Sequence, residues 1–430
     1  MNQNQKQVKA NPAALLPIGV FLLIFLGSGI ITGDFYAMPT IVGFMIALIV
    51  AFMQNKGLSF DEKISVITKG VGDENIITMC LIFLCAGAFS GAVSAAGGVE
   101  STVNLGLSIL PPTVMVAGLF VIGCFISTSM GTSVGTVTAL TPIAVGISQK
   151  TGFEMALCVG AVMCGAMFGD NLSMISDTTI AAVKTQGCEM KDKFKENFFI
   201  VLPAALITVV LFFALTLNGS ATIDGDLSYN IFRVIPYLLV LVGALIGINV
   251  FVVLIGGTIF SLIAGVATGS IALDQMFVVM GNGVTGMYDI TCISILVACV
   301  VALVKEFGGI QFILEKLRSL IKGQKGAELG IASLALLVDA CTANNTVAIV
   351  IAGPIAKEIC DEYGVDPKRS ASLLDIFSSV GQGLIPYGAQ LLTAAALSGL
   401  TPYNIMPYLY YPILMAISAL LFIFFRKRAK

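Results

Sequence analysis

Apolar residues fill this chain in runs of spanning length, and short polar stretches punctuate them. The runs fall at residues 14–31, 36–53, 75–96, 111–149, 153–183, 198–218, 231–249, 250–271, 290–307, 327–357, 369–398 and 407–425. About 20 apolar residues in a helix cross a bilayer core of about 30 Å, so the pattern predicts an all-α polytopic membrane protein. No polar stretch between the runs is long enough to fold separately, and residues 1–430 read as a single transmembrane domain. The first run is too long for a signal-peptide core and leads straight into a second span.

Four runs are not simple spans. Residues 111–149 and 327–357 exceed one crossing and are interrupted by polar residues, from Ser127 to Thr138 and from Asp339 to Thr346. Each is a helix pair or a re-entrant hairpin, and the pattern does not separate the two. Residues 153–183 and 369–398 read as long helices broken by glycine and polar residues. Unwound backbone at membrane depth persists only where it lines a cavity or is buried in protein.

These interruptions recur. An offset of 212 residues places Pro142 on Pro354, Gly152 on Gly364, Gly169 on Gly381 and Ala182 on Ala394; an offset of 211 places Gly97 and Gly98 on Gly308 and Gly309. The copies cover about 19–185 and 231–397, with 198–218 as a connector helix and 407–425 as a C-terminal helix. Lysine and arginine gather in both tails, at Lys56, Lys63 and Lys69, at Lys184, Lys191, Lys193 and Lys195, at Lys316 to Lys325 and at Lys357 to Arg369. The positive-inside rule makes these segments cytoplasmic, with both termini inside a cell (inner) membrane. The loop at 54–73 then lies inside and its mate at 272–289 outside. Two inverted repeats with broken helices, and with either helix pairs or re-entrant hairpins at the two long runs, are the expected fold, and this is an architecture of alternating-access transporters.

Candidate chemistry concentrates between Phe168 and Ala182. Asp170, Asn171, Ser173, Ser176, Asp177, Thr178 and Thr179 sit there inside apolar sequence, and ionisable groups at membrane depth mark ion or substrate sites. A continuous helix would stack Asp170, Ser173 and Asp177 on one face. In the second copy the mates of Asp170, Asn171, Ser176 and Asp177 are Gln382, Gly383, Gly388 and Ala389, and the acid falls instead at Asp339, opposite Ser127. Asn344, Asn345 and Thr346 lie opposite Thr132, Ser133 and Val134. The expectation is a site of two half-sites: a small cation at Asp170, Asp177 and Asp339, which the resemblance given below makes Na+, with Ser127, Thr132, Ser133, Asn344, Asn345, Thr346 and Gln382 as a substrate or second half-site. Hydroxyls in such runs also serve simply to join helices. Asp375, in the second broken helix, is a further candidate.

The Phe168 to Ala182 stretch resembles the signature of the NhaC-type sodium/proton antiporters, of the wider ion transporter superfamily, departing from it where Met174 stands in place of a proline. The resemblance implies Na+/H+ exchange, with Na+ and H+ as the transported ions, no cofactor, and a homodimer among membrane lipids. It also leaves open a Na+- or H+-coupled carrier of an amino acid or small organic acid, as in malate/lactate exchangers.

Composition narrows the chemistry further. Charged residues are 11% of the chain and hydrophobic ones 57%, against about 25% charged in soluble domains. The net charge of -2 offers nothing to nucleic acid. The ten cysteines form no CxxC pair and sit mostly in apolar runs, as reduced packing residues. With no histidine, proton chemistry falls to carboxylates and lysine. Gly131, Ser133 and Gly135 match G-x-S-x-G, yet the missing histidine removes the base that an enzyme of that kind uses.

Overall fold

The structure, a computed structural model, describes residues 9–32, 38–174, 176–217 and 226–425. Among these residues there is no strand. The first half comprises α1 (Leu16–Thr32), α2 (Thr40–Met53), α3 (Phe60–Val71), α4 (Glu74–Ala95), α5 (Gly98–Ile109), α6 (Pro112–Met130), α7 (Ser133–Thr151), α8 (Met155–Leu172) and α9 (Asp177–Gln186). The long α10 (Met190–Leu217) follows. The second half comprises α11 (Ile231–Leu245), α12 (Val250–Ala267), α13 (Met276–Thr285), α14 (Tyr288–Glu306), α15 (Gly309–Arg318), α16 (Gly323–Thr342), α17 (Asn345–Tyr363), α18 (Pro367–Leu384) and α19 (Ala389–Ser398). A one-turn α20 (Pro402–Ile405) leads to α21 (Tyr410–Phe425). Six helical stretches among the described residues are long and apolar enough to cross a membrane, the longest being Leu273–Glu306 and Met155–Gln186.

The limits of α7, α8 and α9 fall on those of α17, α18 and α19 at the offset of 212. Contacts between the halves are reciprocal as well. Helix α7 packs on α19 while α17 packs on α9, and α3 packs on α14 while α13 packs on α4. The two long interrupted runs resolve into the helix pairs α6–α7 and α16–α17. Each pair turns on a left-handed residue, Gly131 (φ 69°) in the first and Ala343 (φ 49°) in the second. The next residue then caps the following helix: Thr132 Oγ1 accepts the Gly135 amide at 3.3 Å, and Asn344 Oδ1 accepts the Val347 amide at 3.0 Å.

Between α6 and α8 there is backbone-to-backbone packing. A Cβ at Gly169 would lie 2.3 Å from Ser127 Cβ and 2.4 Å from the Thr128 nitrogen, and one at Gly165 would lie 2.4 Å from the Phe120 carbonyl oxygen. In a membrane such small-residue seams let dispersion and close approach hold helices together.

Three readings of the sequence change here. The segments 54–73 and 272–289, expected as loops, contain α3 and α13. Lys63 is buried, and its ammonium caps the end of α2 by donating to the carbonyls of Phe52 (2.8 Å) and Gln54 (2.6 Å). The connector begins at Met190, well before residue 198, because the polar first turns of α10 bury one face; Lys193 is therefore inside the protein and not in a cytoplasmic loop. Both tails fall outside the described residues beyond 9 and 425.

Gly169→Ala is expected to lower the thermal unfolding midpoint in detergent, at a cost of about 1–3 kcal/mol for overpacking the seam. Ala343→Gly relieves left-handed strain and returns part of that gain to the freer unfolded chain, for a net stabilisation of about 0.5 kcal/mol read in the same assay.

Candidate functional site

Four helix N-termini border one cavity of about 510 Å³: those of α7, α9, α17 and α19. Gly131, Thr132, Ser133, Asp170, Ser176, Asp177, Thr178, Asn344, Asn345, Thr346, Gln382 and Gln390 line it, with Glu74 and Lys184 also on its wall. The breaks in α8–α9 and α18–α19 and the turns of the two helix pairs leave backbone amides without helical partners, and the helix dipoles aim the same way. Irregular backbone is thus confined to the place where it lines a cavity.

Asp170, in the last turn of α8, is 5% exposed. Its carboxylate accepts the Ser176 hydroxyl at 2.8 Å, the Ser133 hydroxyl at 2.9 Å and the Asn345 amide at 3.2 Å. Ser133 and Asn345 open α7 and α17, so both halves supply donors. Ser133 in turn accepts from Gln390 (2.9 Å), whose carbonyl oxygen accepts from Gln382 (2.7 Å), and Gln382 also donates to the Ala343 carbonyl (3.2 Å). The Ser176 and Thr178 hydroxyls are hydrogen-bonded to each other at 2.8 Å. Among the described residues no lysine or arginine forms an ion pair with Asp170. Three neutral donors and the helix ends are what hold this carboxylate.

A second polar cluster lies behind the first turn of α9. Lys193 and Asp375, 1% and 0% exposed, form an ion pair. The Lys193 ammonium also donates to the Asn171 carbonyl and to Thr179 Oγ1, each at 3.0 Å, and Thr179 donates to Asp375 at 3.2 Å. Asn197 fixes Asn171 by donating to its main-chain and side-chain oxygens, both at 2.9 Å, and Ser372 donates to Asn197.

The expected site is redistributed accordingly. Asp170, Ser133, Ser176 and Asn345 come together, with Gln382 one link away through Gln390. Asn171 and Thr179 belong to the Lys193 cluster. Thr132, Asn344 and Thr346 stay on the cavity wall, the first two as helix caps. Ser173 ends α8, its amide bonding the Gly169 carbonyl at 2.7 Å. Ser127 donates to the Ala166 carbonyl at 2.6 Å and joins α6 to α8.

The three acids do not form one site. Asp177 is exposed on the cavity wall as the first residue of α9, because the break at Ser173 ends the helical register that would have stacked it on Asp170. Asp339 is buried against α18, where Gly381 leaves room for its carboxyl, and neither oxygen has a hydrogen-bond partner. Among the described residues no three acidic or cysteine side chains converge as a metal site.

Lys193, Asn197 and Gln390 were absent from the expected site. Spacing carried a signal for the first two: Lys193, Asn197 and Val201 recur every fourth residue and all are buried on one face of α10. Gln390 had only its position, the second residue after a break within an alanine- and leucine-rich segment.

Several proteins resemble this chain along most of its length. The malate-2H(+)/Na(+)-lactate antiporter of Bacillus subtilis is 23% identical over 92% of this chain and 90% of that protein. The Na(+)/H(+) antiporter NhaC of Alkalihalophilus pseudofirmus is 22% identical over 95% of this chain and 94% of that protein. A crystal structure of the Alcanivorax borkumensis YdaH transporter matches 96% of this chain and 98% of that one at 13% identity, with a TM-score of 0.46. The family model described as the Na+/H+ antiporter family matches residues 8–217 and 226–427, and the chain belongs to that family.

Proposed function

We propose that this multi-pass membrane protein exchanges Na+ for H+ by alternating access, with Asp170 as the carboxylate for which the two ions compete. The observation that carries this reading is the isolation of Asp170: buried, hydrogen-bonded only by neutral groups, and open to the cavity. A carboxylate withdrawn from water needs a proton or a cation beside it. Sodium takes the deprotonated form, so its arrival expels the proton. The neighbouring groups suit both occupants, since a serine hydroxyl donates to a carboxylate or turns its lone pairs to a cation. With Asp170 they present the hard oxygens that a small cation prefers.

Alternating access follows from the same contacts. Asp170 and Ser176 come from one half and Asn345 from the other, so a displacement of the halves remakes the site. We assign the halves inverted topologies, a cell (inner) membrane location and cytoplasmic termini, on the charge distribution and the reciprocal packing.

The size of the cavity supports a second reading. About 510 Å³ is far more than one ion occupies, and four helix N-termini favour a carboxylate. A small organic acid or amino acid would then travel with the ion, and one relative is itself named for malate and lactate.

Sodium added to proteoliposomes of the purified protein, without organic solute, is expected to drive proton movement. Asp170→Asn should reduce it about 100-fold or more, with membrane insertion unchanged. Undiminished exchange in that variant would overturn the assignment, and silence until an organic acid is added would move it to the second reading. Asp177→Asn, at an exposed position, is expected only to raise the half-saturating sodium concentration about 2–5-fold, in a salt-dependent way.

A further inference from the structure

The Lys193 cluster carries more than an ion pair. Its three acceptors are a carboxylate (Asp375), a main-chain carbonyl (Asn171) and a hydroxyl (Thr179). That is a set of hard oxygens of the kind a dehydrated alkali cation takes. The carbonyl belongs to the last turn of α8, which ends at Leu172, and the last carbonyls of a helix turn to partners outside it. An ammonium and a sodium ion carry the same charge, but only the ammonium is tethered and holds a removable proton.

We infer that Asp375, Thr179 and the Asn171 carbonyl form a second binding site for a monovalent alkali cation, with the Lys193 ammonium as its resident occupant. When the ion enters, Lys193 gives up one proton and its neutral amine keeps the nitrogen lone pair. The ion takes the place of the positive charge beside Asp375. Net charge at the site is unchanged, and one proton leaves for each cation bound. This rests on the exchange reading above and adds a second exchanging position to it.

The surroundings fit such an exchange. Among the described residues, the charged groups on helices packed against α10 are Asp170 on α8, Asp177 and Lys184 on α9, and Lys368, Arg369 and Asp375 on α18. Arg369 is held by Glu196 at 3.2 Å and Glu328 at 3.3 Å, and Lys368 by Asp366 at 3.3 Å, so among the described residues Lys193 is the cation that forms an ion pair with Asp375. The first turn of α9 separates the two positions: Thr179 faces the Lys193 cluster, while Thr178 reaches Ser176 and through it Asp170. A shift of that turn acts on both.

The test counts protons released when saturating sodium is added to the purified full-length protein in weakly buffered detergent with a pH-sensitive dye. Lys193→Arg keeps the buried ion pair but places there a group that does not deprotonate, so release is expected to fall to about half, and Asp170→Asn on that background should remove the rest. A plain structural strut would be restored by arginine; release equal to wild type in Lys193→Arg overturns the second site. Loss of all release in Asp170→Asn alone also overturns it, while leaving the exchange reading standing. Undiminished sodium response in Asp170→Asn, lost in Lys193→Arg, would instead uphold the second site and remove Asp170 from the mechanism. Should Lys193→Arg fail to fold, the double variant Lys193→Gln/Asp375→Asn removes both charges together and is expected to lose the same half; wild-type release there overturns the proposal.

Discussion

A carboxylate held in a membrane protein without a countercharge constrains everything around it. Asp170 is surrounded by two hydroxyls and an amide, and these reach it only because two helices stop and two others turn back within the same small volume. The breaks expose amides that a continuous helix would have consumed, and the cavity gives that irregular backbone a reason to exist at membrane depth. Caps at Thr132 and Asn344 then keep the new helix starts in register. Fold and site are in this sense one arrangement: without the breaks Asp170 would be an expensive isolated charge.

The same molecule also buries charge in the opposite way. Lys193 and Asp375 neutralise each other, Lys193 donates further to Asn171 and Thr179, and Thr179 donates to the same Asp375 oxygen that Lys193 holds. A pair of this kind is costly to break from one side, since the survivor is left stranded in low dielectric. Asp170 and Asp375 thus represent two solutions to one desolvation problem, on α8 and α18 beside the first turn of α9.

Much of this was legible in the sequence because membrane burial makes polar residues conspicuous. The interruptions at Ser127 to Thr138 and Asp339 to Thr346 stood out against apolar surroundings, and they are the turns that bring Ser133 and Asn345 to Asp170. The offset of 212 aligned Thr132 with Asn344, and both cap helices. What stayed hidden depended on helix phase and on where helices end. Asp177 was placed beside Asp170 by assuming an unbroken helix, and the break at Ser173 undid that. Lys193 was counted with its basic neighbours because a lysine at a helix start looks the same whether it snorkels outward or turns in. Nothing in an alanine-rich segment singled out Gln390, whose role comes entirely from the helix end it occupies. Asp339 was conspicuous for the right reason, its cost, but it faces α18 and not the cavity.

The seam between α6 and α8 has a mechanical consequence. Two helices in contact through Gly165 and Gly169 have no intervening layer of side chains whose rotamers could change to let one slide past the other. The two helices form one packed unit, and Asp170, in the last turn of α8, lies at its end. Exchange by alternating access would then have to move this seam as a whole, with Asp170 fixed at its end.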